Sequence, residues 1–570
     1  MQKLLNQTTR AVLCLVALFY TALYSPTMAA SDRAGQSITT CRLRAATYFG
    51  GSGNEQGWPS TPSTIDANGN ILFAITTTSS NLASGGYDLS FNGGGDALVV
   101  KMNPDLTQVL AATYLGGSAN EIPDAICIGD GGRVYVSGST SSANFPTTPG
   151  AYDITHGTAE DAFVAILSSG LDTLLASTLI GGNGSDMECT AVVSADGSVF
   201  AAFRTASTDL PTSPGAVQSS HSPGGMDFYI MRLNSSLTAA LASTYFGGNG
   251  EEFRPRLAID GDGDIYITGS TFSSNLPITA GAYDTHNNDG SLDAFVAHIG
   301  KTLDVLLAST YVGGNGTDWS YAIILGENDD VYLTGHVHSH WPTTPGCFDA
   351  TYGGGPDEGS DAYLCRLSSD LTTLKASTYL GGSGWDWGVG LVRDSQGYIY
   401  VVGETTSPDF PVTKGTYDSS CCDAKDMFLV KFDSTMQTLH MSTLIGGLGD
   451  DRWPGVLVAA DNCVYTVGYT TSSSLQTTAG VYDASYNGSG DMYVIKFSLY
   501  PYMCGDANSD GSVDISDVVN LIAYIFSGGS EPEPLLAGDA NCDSTVDISD
   551  AVYLIAYIFS GGSAPCAGCM

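Results

Sequence analysis

The chain has 570 residues, 43% hydrophobic and 14% charged, a composition that can fill several cores and excludes a disordered polyampholyte. Its 70 glycines show no three-residue period, which excludes collagen and points to many tight turns between short elements, as in an all-β fold. Twenty Lys and Arg stand against 59 Asp and Glu, a net charge of −39, so a broad nucleic-acid-binding surface is excluded and cations become the expected partners.

Residues 1–30 read as a signal peptide. Lys3 and Arg10 precede the apolar run Ala11 to Tyr24, and Thr27-Met28-Ala29 offers small residues for cleavage after Ala29 or Ala30. That run is shorter than the roughly 20 residues that cross a bilayer, and no later segment supplies a second candidate. A secreted, soluble protein without a transmembrane anchor is therefore expected, in the extracellular space or at the cell surface. Twelve of the 13 cysteines remain after cleavage, an even count that permits disulfides without giving their connectivity.

From residue 41 to 500 one unit recurs seven times. A Gly-Gly pair closing a Ser/Ala-Thr-aromatic/Leu run appears at Gly50, Gly116, Gly181, Gly247, Gly313, Gly381 and Gly446, spaced by 65 to 68 residues. Between pairs come an apolar stretch, a short Asp/Asn/Gly turn, a strand such as VYVSG, a long loop and DAFVAIL-like text, enough for four strands. A single sheet this small cannot stand alone, so the units must bury their faces on one another. The repeat begins with a lone outer-type strand and ends on a third-type strand, so the N-terminus can complete the last sheet and leave no open edge. The expected fold is mainly β, a seven-bladed β-propeller with four-stranded blades closed by the N-terminal strand.

The text STYLGG, a D-x-x-G turn, YVTG, FPTTPGAYD and DAFVAKL-like segments resembles the SBBP type of bacterial β-propeller repeat over about 450 residues. The resemblance implies an extracellular or cell-surface protein and brings no established active site.

In such blades the Gly-Gly connection and the long segment Asn144 to Asp153 share one face, the candidate binding surface. There an acid precedes a large apolar residue in Glu121-Ile122, Asp186-Met187, Glu252-Phe253, Asp318-Trp319 and Asp386-Trp387, with Trp58 and Trp453 nearby in register. Such a ring suits blade wedging, and also sugar stacking or cation binding. Asp96, Asp161, Asp227, Asp293, Asp361, Asp426 and Asp491 open the third strands, where a carboxylate can accept from turn amides. His336, His338 and His340 would share one face of an extended segment, as an open zinc site requires.

At Cys504 the text changes to CGDANSDGSVDISDVVNLIAYIF and repeats after 33 residues. Asp506, Asn508, Asp510, Ser512, Asp514 and Asp517 occupy positions 1, 3, 5, 7, 9 and 12 of a calcium loop, with Gly511 at the sharp turn. Asp539, Asn541, Asp543, Thr545, Asp547 and Asp550 repeat the set, with Ser544 in place of the glycine, so a weaker second site is expected. Two calcium ions are thus implied. The segment holds ten acids and no Lys or Arg, so metal binding should be coupled to folding. Cys504 with Cys566 or Cys569 is a candidate clasp.

Each loop runs into one helix and ends on Asp, so residues 504–570 resemble a type I dockerin, the module that docks on a cohesin domain of a scaffold or anchoring protein. By that resemblance Ile515, Ser516, Ile548 and Ser549 sit where the partner is read, and either helix could face it. The leading expectation is a non-catalytic binding or structural component, attached through its calcium-dependent dockerin, with a glycan or surface protein on the propeller face. The alternative is a carbohydrate-active enzyme, a glycoside hydrolase or lyase of a cellulosome-like assembly in polysaccharide breakdown; no recognised catalytic motif supports it.

Overall fold

The computed structural model describes residues 39–565 except 59, 289–290, 355–358, 414–415, 422–423, 502–503, 509–511, 533–534 and 544. The expected signal peptide, residues 1–30, lies outside the described residues. Among those described, no helix is long and apolar enough to cross a membrane.

Seven antiparallel sheets follow one another in sequence. A typical blade, the second, orders Glu121–Ile128, Val134–Thr140, Asp161–Leu167 and Leu174–Ile180 from the innermost strand outward. The last blade carries Asp451–Val458, Cys463–Thr470 and Asp491–Pro501, and takes its fourth strand, Thr39–Phe49, from the start of the chain. The expected closure is therefore present, and pairing begins slightly earlier, at Thr39 with Pro501. In the first blade the innermost strand is broken into Glu55–Gln56 and Ser63–Ile65, both paired to Ile71–Thr77.

The core lies between blades. Each of seven apolar clusters joins two neighbouring sheets, for example Phe73 and Leu98 of the first blade with Tyr465 and Val494 of the last. This explains why both faces of the middle strands read as near-continuous apolar text: each sheet is covered on both sides.

The Gly-Gly motif has a steric cause. A Cβ at Gly50, Gly116, Gly181, Gly247 or Gly446 would lie within 2.6 Å of a carboxylate atom, because the acid that opens the third strand, the acid that opens the next inner strand, or both crowd that position. In the second blade Gly117 N–H and Thr140 Oγ1 donate to Glu121, at 3.0 and 2.6 Å, while Gly157 N–H donates to Asp161 at 2.9 Å. These repeated acids tie connections to strands, so their role is structural. The aromatic before the glycines does similar work: Tyr114 OH donates to Ser79 O at 2.6 Å and accepts from Leu82 N at 3.2 Å.

Burial pushes these carboxyls up. Asp186, Asp386, Asp451 and Asp491 reach about 6, Asp361 about 7 and Glu252 about 8. An acid whose folded pKa is raised gives stability that is full below its unfolded value near 4 and is lost as pH rises through the folded value. Buried His336, held well below the ordinary histidine value, acts oppositely below about pH 6.5, but as a single group. Thermal scans in saturating calcium should show Tm falling by about 5 °C or more between pH 5 and 8, with a shallower slope in Asp491→Asn. A Tm that rises across this window would contradict the assignment.

Candidate functional site

The long segment Asn144 to Asp153 is not free on the candidate face. Thr148 N–H donates to Ser177 O at 3.1 Å, Leu179 N–H to Asp153 O at 3.1 Å, and Tyr152 N–H to Leu237 O of the next blade at 2.8 Å. It braces the outer strand and clasps the neighbour. What remains open on that face is the mouth of the central channel.

The innermost strands carry bulges that aim residues into this mouth. Pairing skips two residues between Met187 and Thr190, Phe253 and Arg256, and Arg452 and Gly455, and one residue at Asp124, Tyr321 and Val389. In the wide bulges Glu188, Arg254 and Trp453 adopt positive φ of 58°, 60° and 54°, uncommon for side chains of this size.

The result is a closed circuit of charge and ring contacts around the mouth. Glu188 lies 3.7 Å from Arg204 and 3.4 Å from Arg254. Arg204 sits over Phe253 at 4.2 Å, and Phe253 meets Trp319 edge-on at 5.6 Å. Trp319 stacks with His336 at 6.0 Å, and His336 with Trp387 at 4.6 Å. Lys425 lies over Trp387 at 4.8 Å and 3.5 Å from Glu404, which Arg452 meets at 2.9 Å. Arg452 covers Trp453 at 4.5 Å, Trp453 meets Trp58 at 5.0 Å, and Arg254 over Trp58 at 5.2 Å closes the circuit.

Below it the channel holds a cavity of about 280 Å³ lined by Asp124, Arg256, Tyr321 and inner-strand backbone. Burial raises Asp124 to about 7, with Arg256 opposing and Glu188 reinforcing the shift. His336 is held well below the ordinary imidazole range by burial, with His338 and Lys425 adding repulsion, so it is neutral. Cation over ring and ring on ring contacts each contribute about 0.5–1.5 kcal/mol.

Trp319, Trp387, Trp58 and Trp453, expected on this face, all take part in the circuit around the mouth. Sequence reasoning missed Glu188, Arg204, Arg254, Lys425, Glu404 and Arg452; the available signal was a cation or acid where other repeats carry neutral residues. His336, His338 and His340 are not gathered as a three-ligand group among the described residues; His336 instead stacks on Trp387 at 4.6 Å. Among the described residues, the clustered metal-type ligands are Asp260, Asp264 and His298, on the opposite face.

The C-terminal residues form two helices, Ile515–Ser527 and Ile548–Ser560. Asp514 and Asp547 cap them with reciprocal capping boxes to Asp517 and Asp550. Asp517 accepts from Asn508 N and Asp514 N at 3.0 and 2.8 Å, and Asp550 from Asn541 N and Asp547 N at 3.1 and 2.9 Å. The last acid of each loop thus folds the loop back on itself. Asp510 and Ser544 lie outside the described residues. Asp506, Asp517, Asp539 and Asp550 are buried in a segment without Lys or Arg, an all-oxygen donor set that fits a hard cation.

Val518, Leu521, Ala551 and Leu554 form the small core between the helices. Each helix has a second apolar face turned to solvent: Ile515, Val519, Ile522 and Phe526 on the first, Ile548, Val552, Ile555 and Phe559 on the second. Phe526 and Phe559 are both 67% exposed. Val519, Phe526 and Phe559 were not singled out in the sequence, where helical periodicity alone does not say which of two apolar faces is covered. Cys421, Cys504 and Cys542 each belong to a disulfide; Cys566 and Cys569, the expected partners for a clasp with Cys504, lie outside the described residues.

Residues 504–559 match the dockerin type I domain, a calcium-binding module, and residues 377–411 match the beta-propeller repeat SBBP. No curated protein matches the chain. Among solved structures, the polysaccharide lyase Uly1 is similar at 8% identity and TM-score 0.42, over 81% of this chain and 99% of that one. A PL25 ulvan lyase is similar at 10% and 0.42, over 75% and 92%. The quinohemoprotein alcohol dehydrogenase of Comamonas testosteroni is similar at 9% and 0.39, over 80% and 76%. Such scores are too low to bear on function. Seven sheets closed in a ring make this chain a seven-bladed β-propeller, with one stretch that matches the SBBP beta-propeller repeat and a C-terminal segment that matches the dockerin type I domain.

Proposed function

We propose that the chain is a secreted, non-catalytic binding component, displayed on a cohesin-bearing scaffold or surface protein by its calcium-dependent dockerin. One ion is held by Asp506, Asn508, Asp510, the Ser512 carbonyl, Asp514 through water, and Asp517. A second ion takes Asp539, Asn541, Asp543, the Thr545 carbonyl, Asp547 and Asp550. The exposed apolar face on each helix carries the docking half of this reading: two such stripes beside Ile515-Ser516 and Ile548-Ser549 are nearly identical, so either can cover the partner.

The mouth supports binding. Glu188 and Glu404 are each held between two cations, an arrangement that fixes the side chains around the opening. Calorimetry of the full chain with a type I cohesin should show tight binding in calcium and none in excess chelator. Binding that is indifferent to chelator, or absent in calcium, refutes the docking half. Release of reducing ends or unsaturated sugars from polysaccharides would refute the non-catalytic half.

A further inference from the structure

We infer that the channel mouth binds an acidic polysaccharide, the sugar carboxylate or sulfate meeting Arg204, Arg254, Arg452 and Lys425 while sugar faces stack on Trp58 and Trp385. This rests on the binding reading of the propeller and names its ligand class.

Charge placement is the first support. In a chain with 20 cations against 59 acids, Arg204, Arg254, Arg256, Lys425 and Arg452 converge on one opening. Their protein counter-ions are shared: Glu188 serves two arginines, and Glu404 serves Arg452 and Lys425. Glu251, 3.6 Å from Arg204, is 44% exposed and well solvated.

Unspent donors are the second support. Arg204 and Arg254 lie at ion-pair distances of 3.4–3.7 Å from the acids, and neither guanidinium donates a hydrogen bond within the described residues. Arg204 is 8% exposed, and its Nε has no partner among those residues; the same is true of Trp453 Nε1. A buried donor left unpaired is destabilising, and an anionic ligand would satisfy it. A guanidinium pair offers the planar fork that carboxylate and sulfate oxygens accept.

Exposed rings are the third. Trp58 and Trp385 are each 39% exposed at this rim, an apolar face of the kind that sugar C–H surfaces cover. The remaining acids of the chain repel a polyanion at long range. At 0.15 M salt the Debye length is about 8 Å, so distant repulsion is screened while contacts inside the mouth persist.

The test is calorimetry of the full chain at 0.15 M salt with hexagalacturonate, a sulfated dextran and maltohexaose. Short chains avoid gelation in the calcium that the dockerin needs. At least one of the two anions should bind, and maltohexaose should give no heat; the anion bound assigns carboxylate or sulfate. Arg204→Gln with Arg254→Gln should weaken binding by about tenfold or more, and Trp385→Ala, on an exposed ring, should do so without lowering Tm. Arg393→Gln on the opposite face should change nothing. Heat from neither anion, equal heat from maltohexaose, or unchanged affinity in both mouth variants overturns the inference. Equal heat from maltohexaose would leave a binding propeller standing, and cohesin binding by the same sample reports separately on docking.

Discussion

Chelation is expected to unfold the C-terminal helices of the full chain, with loss of their far-UV signal and protease cleavage between residues 504 and 565. Each helix has 13 residues, near the length at which an isolated helix is marginal in water. The core between them is small, built on Val518, Leu521, Ala551 and Leu554. Ten acids without a single Lys or Arg repel one another unless a cation neutralises them. Asp517 and Asp550 each serve a capping box and close a loop, so they join helix to ion. Asp517→Ala and Asp550→Ala should each remove one calcium from the stoichiometry. Each should cost more than the roughly 10–100-fold in affinity that follows loss of an outer partner. Protection and helicity unchanged in chelator would refute this account.

Loss of the N-terminal strand should be as severe for the propeller. Thr39–Phe49 pairs along its length with Asp491–Pro501, and Tyr48 and Phe49 are fully buried against the neighbouring sheets. Tyr48 OH also donates to Ser472 O at 2.8 Å and accepts from Leu475 N at 3.0 Å. Replacing a buried aromatic by alanine costs about 3–5 kcal/mol, so Tyr48→Ala with Phe49→Ala consumes much of the roughly 5–15 kcal/mol that holds a typical domain. Deleting residues 39–49 goes further and bares the whole edge of Asp491–Pro501, a template for association. Size-exclusion chromatography should show the deletion variant as aggregate. The double variant should melt at least about 10 °C lower. A monomeric deletion variant with unchanged melting would contradict ring closure through this strand.

Much of this architecture was legible because repetition constrains the backbone. Seven Gly-Gly pairs, the acid opening every third strand and the phase of the first and last strands fix the blade number and closure. The dockerin match was legible for a similar reason: two oxygen-rich loops at fixed spacing, each running into an apolar helical period, have few other uses. The mouth was not legible, because its residues depart from the repeat. Trp58 sits in the break of an inner strand and meets Trp453 from the far end of the chain, a pairing that no local pattern encodes. The long loops misled for a physical reason: their Thr-Pro-Gly turns read as exposed text, yet their amides are spent on outer strands and neighbouring blades.

The inner-strand bulges carry one more consequence. Seven identical blades would present an incoming ligand with seven interchangeable poses. Here the third, fourth and seventh blades carry two-residue bulges, the second, fifth and sixth carry one-residue bulges, and the inner strand of the first blade is broken. The rotational degeneracy is lifted, so anything that enters the opening meets one distinct set of side chains instead of seven equivalent ones.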